Sequence, residues 1–416
     1  MRKIILIFFT AFILVGIFGC LKKNDDGNEE IVIKNGGTIE LKNEQADIYY
    51  EGGYTSSKVK TRSAEKNRNF GYNIIFSAIV SPIEVDGEIV QANDIKIEGN
   101  KAYIAYNYAG DEFRGAVQII NITDKSNPVI IKEIQFKDID INCIYVKGNT
   151  MLYGGQANPD KYTEGRSVVG YIDLNKLDSI TADDITNGMN FFSKSYAVTS
   201  IARRGSNYYI GVGAKDGGVI VTDLNLTEIT TGSFITLPDI RDIEEYQNGV
   251  ILLAGTTDNE STTGKVAKIT DSTIEKTINI TDFKSKYTKA TIEVWKGTVA
   301  LLGLAEGGMA AMDLKTDKIY YTLPNPDSNT LHATNSVSSD GSLLFTANGE
   351  YGFRVLDVDG TKTDSNFAKV AGYYPYKRKV DSNGVNYSAN HVIYKSGSLF
   401  VASGVGGVQI FNLSKK

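Results

Sequence analysis

The run Asp94-Ile95-Lys96-Ile97-Glu98-Gly99-Asn100-Lys101-Ala102-Tyr103-Ile104-Ala105, with Gly115-Ala116-Val117-Gln118-Ile119-Ile120-Asn121 shortly after it, decides the fold. It reads as strand, tight turn, strand, loop, strand. Its first arm alternates apolar and polar residues, and residues two apart on a strand share a face. Gly99-Asn100 forms a turn that needs positive φ, which glycine adopts without steric cost. The same phrase returns near the end as Val392-Ile393-Tyr394-Lys395-Ser396-Gly397-Ser398-Leu399-Phe400-Val401-Ala402, then Gly406-Gly407-Val408-Gln409-Ile410-Phe411-Asn412. Between the two copies the turn glycine recurs at Gly148, Gly205, Gly249, Gly297 and Gly341. The seven glycines are 49, 57, 44, 48, 44 and 56 residues apart. A repeat of that length fits one four-stranded blade of a β-propeller. The expectation is an all-β chain forming a seven-bladed β-propeller.

The third strands are expected at 115–121, 168–174, 217–224, 264–270, 308–314, 351–358 and 406–413. The last repeat stops just after its third strand and lacks an outer one. Asn73-Ile74-Ile75-Phe76-Ser77-Ala78-Ile79-Val80 precedes the first full repeat and belongs to none. It is expected to supply the missing strand, closing the ring and removing an exposed sheet edge. A short helical turn is expected within 174–189, inside an enlarged loop.

The chain opens with Met1-Arg2-Lys3, then an apolar run from Ile4 to Gly19 that ends at Cys20. A positive segment, a short apolar core and a small residue before the cleavage point form a secretory signal. The run is slightly short for a bilayer span of about 20 residues. Ile17-Phe18-Gly19-Cys20 resembles the lipobox of bacterial lipoproteins. That resemblance implies cleavage before Cys20 and lipidation of its thiol. The polar stretch from Lys22 to Glu30 cannot fold alone and reads as a solvated tether. A lysine followed by acidic residues there also resembles the surface-export signal of Bacteroidetes-type lipoproteins. The expected layout is a signal peptide over 1–19, a lipidated Cys20 and tether over 20–70, and the propeller over 71–416. Such a chain lies in the bacterial envelope, held by its lipid to a membrane, by expectation the outer one.

Other totals narrow the function. The net charge is −5 and no long basic run follows the signal, so the electrostatic footprint for nucleic acid is missing. Two histidines leave little material for zinc or for acid–base work near neutral pH. With Cys20 lipidated, Cys143 stands alone and reads as a small buried hydrophobe. No catalytic motif, metal set or cofactor motif stands out. His332 and His391, near Asn335 and Asn390, lack a third ligand for zinc. Asp357–Asp364 reads as an Asp-Gly turn, since a calcium loop would need a Glu where Phe367 and Ala368 lie.

The strand exit Gly115-Ala116-Val117-Gln118-Ile119-Ile120-Asn121-Ile122-Thr123-Asp124-Lys125-Ser126-Asn127-Pro128 resembles the LVIVD repeat, whose blades end in a strand, an Asp and a Ser-x-Pro turn. Residues 352–358 and 406–413 resemble it more weakly. The resemblance implies a cell-surface propeller and carries no catalytic residue.

Propellers hold ligands at the mouth of the axial channel. Counting six residues back from each turn glycine, or seven in the fourth repeat, gives Asn93, Asn142, Thr199, Asp242, Thr291, Asn335 and His391. One polar residue per blade at one register is a candidate ligand ring. It suits a polar small molecule or glycan, or simply channel water. The Tyr373–Lys379 segment is a second recognition surface to consider. The favoured reading is a non-catalytic binding or scaffold propeller with an envelope partner or polar ligand. One alternative is a glycan-active hydrolase or lyase at the channel mouth, for which Asp242 and Glu244 share a side. The other is a structural subunit of an outer-membrane complex.

Overall fold

The computed structural model describes residues 30–49, 71–213, 215–226, 233–255, 262–284, 289–376 and 384–416. Cys20 and the signal segment lie outside them, as do Lys377–Lys379. The described chain is a seven-bladed β-propeller: seven antiparallel sheets, each with at least four strands. Inner strands are Glu88–Glu98, Ile139–Lys147, Val198–Arg204, Ile240–Tyr246, Thr291–Trp295, Ser336–Ser339 and His391–Lys395, for blades 1 to 7. The third strands fall within about two residues of expectation, from Gly115–Asn121 in blade 1 to Val408–Lys415 in blade 7. The enlarged loop of blade 2 holds a 3-10 turn, Leu174–Ser179, and a short helix, Ala182–Asn187. Thr181 and Asp184 form a capping box at the start of that helix.

Each blade buries both sheet faces against its neighbours. The apolar side chains therefore gather into seven clusters, one per junction. Tyr103, Val117 and Ile134 of blade 1 meet Ile141, Met151 and Tyr153 of blade 2. Phe345 and Phe353 of blade 6 meet Phe76, Leu399 and Phe411 of blade 7. The cluster joining blade 7 to blade 1 draws on Ala78, Val80, Val408 and Ile410.

Closure occurs as expected. Tyr72–Val80 pairs antiparallel with Val408–Lys415, with Phe76 opposite Phe411. Those two rings stack at 4.8 Å.

The boundary at residue 71 does not describe how the preceding chain lies. Ile31–Lys34 adds a fifth strand to the outer edge of blade 1. Ile39–Gln45 adds one outside Tyr72–Val80 on blade 7. Tyr49 exchanges backbone bonds of 2.9 and 2.8 Å with Tyr373 of blade 6. Residues 31–49, expected as tether, thus strap the rim across three blades. Backbone groups on open sheet edges accept a partner strand, and Ile31, Ala46 and Ile48 add buried apolar contacts to the blade junctions.

One turn differs from its expected form. Six turn glycines have positive φ, from 58° at Gly99 to 99° at Gly341. In blade 4 the left-handed residue is Gln247, at φ 47°. Gly249 is glycine for a different reason: a Cβ there would sit 1.9 Å from the Ile269 carbonyl oxygen.

Phe76 is 3% exposed at the closing strand. Replacing it with alanine is expected to cost about 3–5 kcal/mol, the usual range for a core Phe. Urea denaturation checks this. A loss below about 1 kcal/mol would mean that the ring does not depend on this strand.

Candidate functional site

Around the axis the inner strand is the edge of each sheet (in blade 1 only beyond Glu88–Val90, which pair with Ile83–Val85), so its outward N–H and C=O groups there have no strand partner. Side chains of the preceding blade supply one. Asp94 Oδ2 accepts from the Ile144 amide at 3.0 Å. Ser200 Oγ accepts from Ile243 at 3.1 Å. Asp242 Oδ2 accepts from Ile292 at 3.0 Å. Ser336 Oγ accepts from Val392 at 3.4 Å, and His391 Nδ1 from Ile95 at 3.0 Å. With Cys143 and Thr291 these five residues occupy one level around the axis.

The residues one position earlier do the complementary task. Asn93 Nδ2 donates to the Asn142 carbonyl at 3.1 Å, and Asn142 Nδ2 to that of Val198 at 3.3 Å. Thr199 Oγ1 donates to Ile240 at 2.9 Å, Asn335 Nδ2 to Ala389 at 3.0 Å, and Asn390 Nδ2 to Ala92 at 3.0 Å. In blades 1 to 3 these residues lie at β-bulges.

The seven residues counted from the glycines therefore fall on two levels. Asp242, Thr291 and His391 stand on the axial level. Asn93, Asn142, Thr199 and Asn335 stitch neighbouring blades. The split follows from the turns. Glycine is the first loop residue after Glu98, Lys147 and Arg204, but the second after Lys395; in blade 6 it is again the second, after Ser339, but that strand is one residue shorter and the count returns to Asn335. A one-residue slip in counting moves the choice to the other face of the strand.

Behind this level the axis is crossed by charge. Lys289, just before blade 5, reaches blade 1, where Nζ donates to the Asn93 carbonyl at 2.8 Å and to Asp94 Oδ1 at 3.0 Å. Burial alone would raise the Asp94 pKa, but Lys289 and His391 hold it well below the ordinary carboxylate range. His391 Nδ1 lies 3.0 Å from both the Ile95 amide nitrogen and Asp94 Oδ1. It accepts from the first as a lone pair or donates to the second as N–H, since one nitrogen cannot do both. Burial, with Lys289 nearby, lowers its affinity for a proton.

Ahead of this plug the channel widens into a funnel of about 730 Å³. It opens toward the inner-strand hairpins, at the end opposite the starts of the inner strands. Six carboxylates and three lysines line it, a formal excess of three negative charges. Lys96 Nζ lies 3.6 Å from Glu244 Oε1, and their side chains stay 31% and 33% exposed, so water reaches both. Desolvation would lower the Lys96 pKa, but Glu244, Asp94 and Asp242 outweigh it and keep the ammonium charged. Glu244 is pushed up to about 7, because partial desolvation and repulsion by the Asp242 and Asp94 carboxylates outweigh the pull of Lys96. Glu293 Oε1 accepts from the Ser339 amide at 2.9 Å, and burial lifts its pKa to about 7 as well. Asp242, considered above as an acid–base partner of Glu244, has both oxygens bonded, Oδ1 to Ser200 Oγ at 2.8 Å and Oδ2 to Ile292.

Counting from the turns did not single out Lys96 or Glu293. Each stands two residues beyond an axial-level residue, Asp94 and Thr291, so the period of two would have shown them. Lys289 belongs to no repeat position and had no such signal. Cys143 is buried, which drives its thiol pKa up, as expected of a structural cysteine. His332 lies away from His391, 2.8 Å from Asp327. Among the described residues no three His, Cys, Asp or Glu side chains converge on a metal position. Asp359 accepts from the amide and hydroxyl of Thr361, as in an ordinary turn.

Two outcomes are expected. Asp94→Ala leaves Lys289 unpaired and the Ile144 amide unsatisfied, and should cost about 3–5 kcal/mol in urea denaturation. Glu293 makes stability pH-dependent. Between about pH 4.5 and 7 the folded chain keeps a proton on Glu293 that the unfolded chain has released, so stability falls as pH rises through that window. Glu293→Gln removes this slope and should raise stability above pH 7 by roughly 1–2 kcal/mol. Melting curves from pH 5 to 8 test it, and an unchanged slope would refute it.

No protein-family model and no curated protein matches the chain. Solved structures do. The crystal structure of RRP9 WD40 repeats aligns with TM-score 0.53 at 11% identity, covering 81% of this chain and 100% of that one. The structure of U3-55K aligns with TM-score 0.53 at 11% identity, covering 78% of this chain and 96% of that one. At such identity the likeness establishes the propeller fold and nothing finer.

Proposed function

We propose that this chain is an envelope-anchored binding propeller, tethered through a lipid on Cys20, whose axial funnel receives a small polar ligand or a side chain of a partner. One observation carries the reading. Ionisable and polar side chains from at least five blades converge on one wet recess, closed behind by the Lys289–Asp94 plug and mounted on a ring of paired strands. Convergent polar groups on rigid elements in a recess of several hundred Å³ are the usual form of a small-molecule site. The lipobox, the polar segment after it and the resemblance to the LVIVD repeat support placement at the outer membrane, facing outward.

A second reading, hydrolase or lyase chemistry on a glycan, draws on Glu244 and Glu293. Carboxyls with pKa near 7 suit proton transfer at neutral pH.

A thermal-shift screen of glycans, peptides and small polar molecules tests the binding role. A ligand that stabilises the native chain should lose that effect in a Glu244→Gln, Glu293→Gln double variant that still folds. Product formation by the native chain on the same glycans would favour the enzymatic reading. Stabilisation unchanged in the double variant would move the site off the axis. Cys20→Ser should shift the protein from the membrane fraction to the soluble fraction of its host, and retention in the membrane would refute the lipid anchor.

A further inference from the structure

The plug and the clasp account for Asp94, Asp242, Ser200, Ser336 and His391. Three groups at the funnel floor are left over. Glu293 accepts from the Ser339 amide and the Ser338 hydroxyl, and among the described residues it has no cation within ion-pair distance, Lys96 acting on it only through space. Glu244 has only the Lys96 ammonium, 3.6 Å away, which also serves Asp94 and Asp242. On the axial level Thr291, like Cys143, accepts from no amide of the next blade. It is 5% exposed and lines the funnel, yet among the described residues its hydroxyl has no hydrogen-bond partner. A buried hydroxyl without a partner costs about 1–3 kcal/mol, so an incoming donor or acceptor is rewarded there.

The three groups are placed to act together. Thr291 and Glu293 stand two apart on the inner strand of blade 5 and share its face. Glu244 stands on the inner strand of blade 4, next in the ring, and lines the same funnel. All three can accept hydrogen bonds, and the funnel carries excess negative charge. A hard metal ion wants six or more oxygens in a tight shell. A primary ammonium has three donors, needs three acceptors and keeps a compact charge. Lys96 already presents such an ammonium beside Glu244, so the chain supplies its own example of the fit.

We propose that the funnel is a receptor for a primary alkylammonium group, carried by a free aliphatic diamine or by a lysine side chain of a peptide, with Glu293, Glu244 and the Thr291 hydroxyl as its acceptors. The inference rests on the reading of the funnel as a binding site and adds the class of ligand.

Calorimetric titration of the full chain in detergent tests it. The titrants are 1,5-diaminopentane, the capped peptide acetyl-Gly-Lys-Gly-amide, 1,5-pentanediol as the uncharged match, and maltotetraose as a neutral glycan. At least one amine is expected to bind and the diol is not. Glu293→Gln should weaken amine binding at least tenfold, and Thr291→Val about threefold. Thr291→Val removes a hydroxyl that has no partner, so the fold should persist, which circular dichroism checks. Binding of the diamine alone assigns a free amine, and binding of the peptide assigns a lysine side chain. If maltotetraose or the diol binds, is weakened by Glu293→Gln, and matches or exceeds the amines, the ammonium inference falls while the binding site stands. If no titrant binds, or none is weakened by Glu293→Gln, the ammonium inference falls and the funnel reading loses its support with it.

Discussion

A sheet buried on both faces cannot end in solvent, and this constraint governs the whole ring. Every blade offers apolar side chains on two sides, so seven clusters lie between blades and none within one. A blade removed from its neighbours would expose two cores at once. The pairing of Tyr72–Val80 with Val408–Lys415 therefore does more than add backbone bonds to the last sheet. It brings Phe76 into one junction and Ala78 and Val80 into the next. Apolar burial of that kind is the dominant favourable contribution to folding.

At the axis the constraint takes a polar form. Inner strands have one edge without a strand partner, and water alone would satisfy it in a wider channel. Here side chains from the preceding blade satisfy both the amides and the carbonyls. This explains why a polar residue recurs at the start of each inner strand even where nothing is bound. A periodic polar ring is the expected signature of edge satisfaction, and ligand binding must be argued from members that break the rule. Thr291, a buried polar side chain on the axial level that accepts from no amide of the next blade, and Glu293, a carboxylate with no cation at ion-pair distance among the described residues, are such members.

The repeat made the fold legible because it fixes turns and alternation, which are local. Glycine spacing located every blade, and the unpaired Asn73–Val80 segment pointed to the manner of closure. The site was legible only in part, for reasons that are also local. Whether a turn glycine is first or second in its loop shifts the strand by one residue, and that shift decides whether Asn142 or Cys143 faces the axis. Gly249 is set by its closeness to the Ile269 carbonyl, which no turn rule captures. Lys289 acts across the ring from a connecting segment, and its partner Asp94 is nearly 200 positions away. The rim strap over residues 31–49 combines backbone pairing with a few buried apolar anchors, Ile31, Ala46 and Ile48, spaced among polar residues and matching no repeat position.

The closing strand also sets a clock. Phe76 and Phe411 are partners 335 residues apart. At synthesis rates of about 5–20 residues per second, the N-terminal strand exists for roughly 20–70 s before its partner is made. Blades 1 to 6 can assemble in that interval, since their hairpins close short loops at low entropic cost. Tyr72–Val80 cannot, and its apolar face must wait. Among the described residues its one earlier-made partner is the strap: Ile39–Gln45 pairs with the same strand from the other side and is made before it.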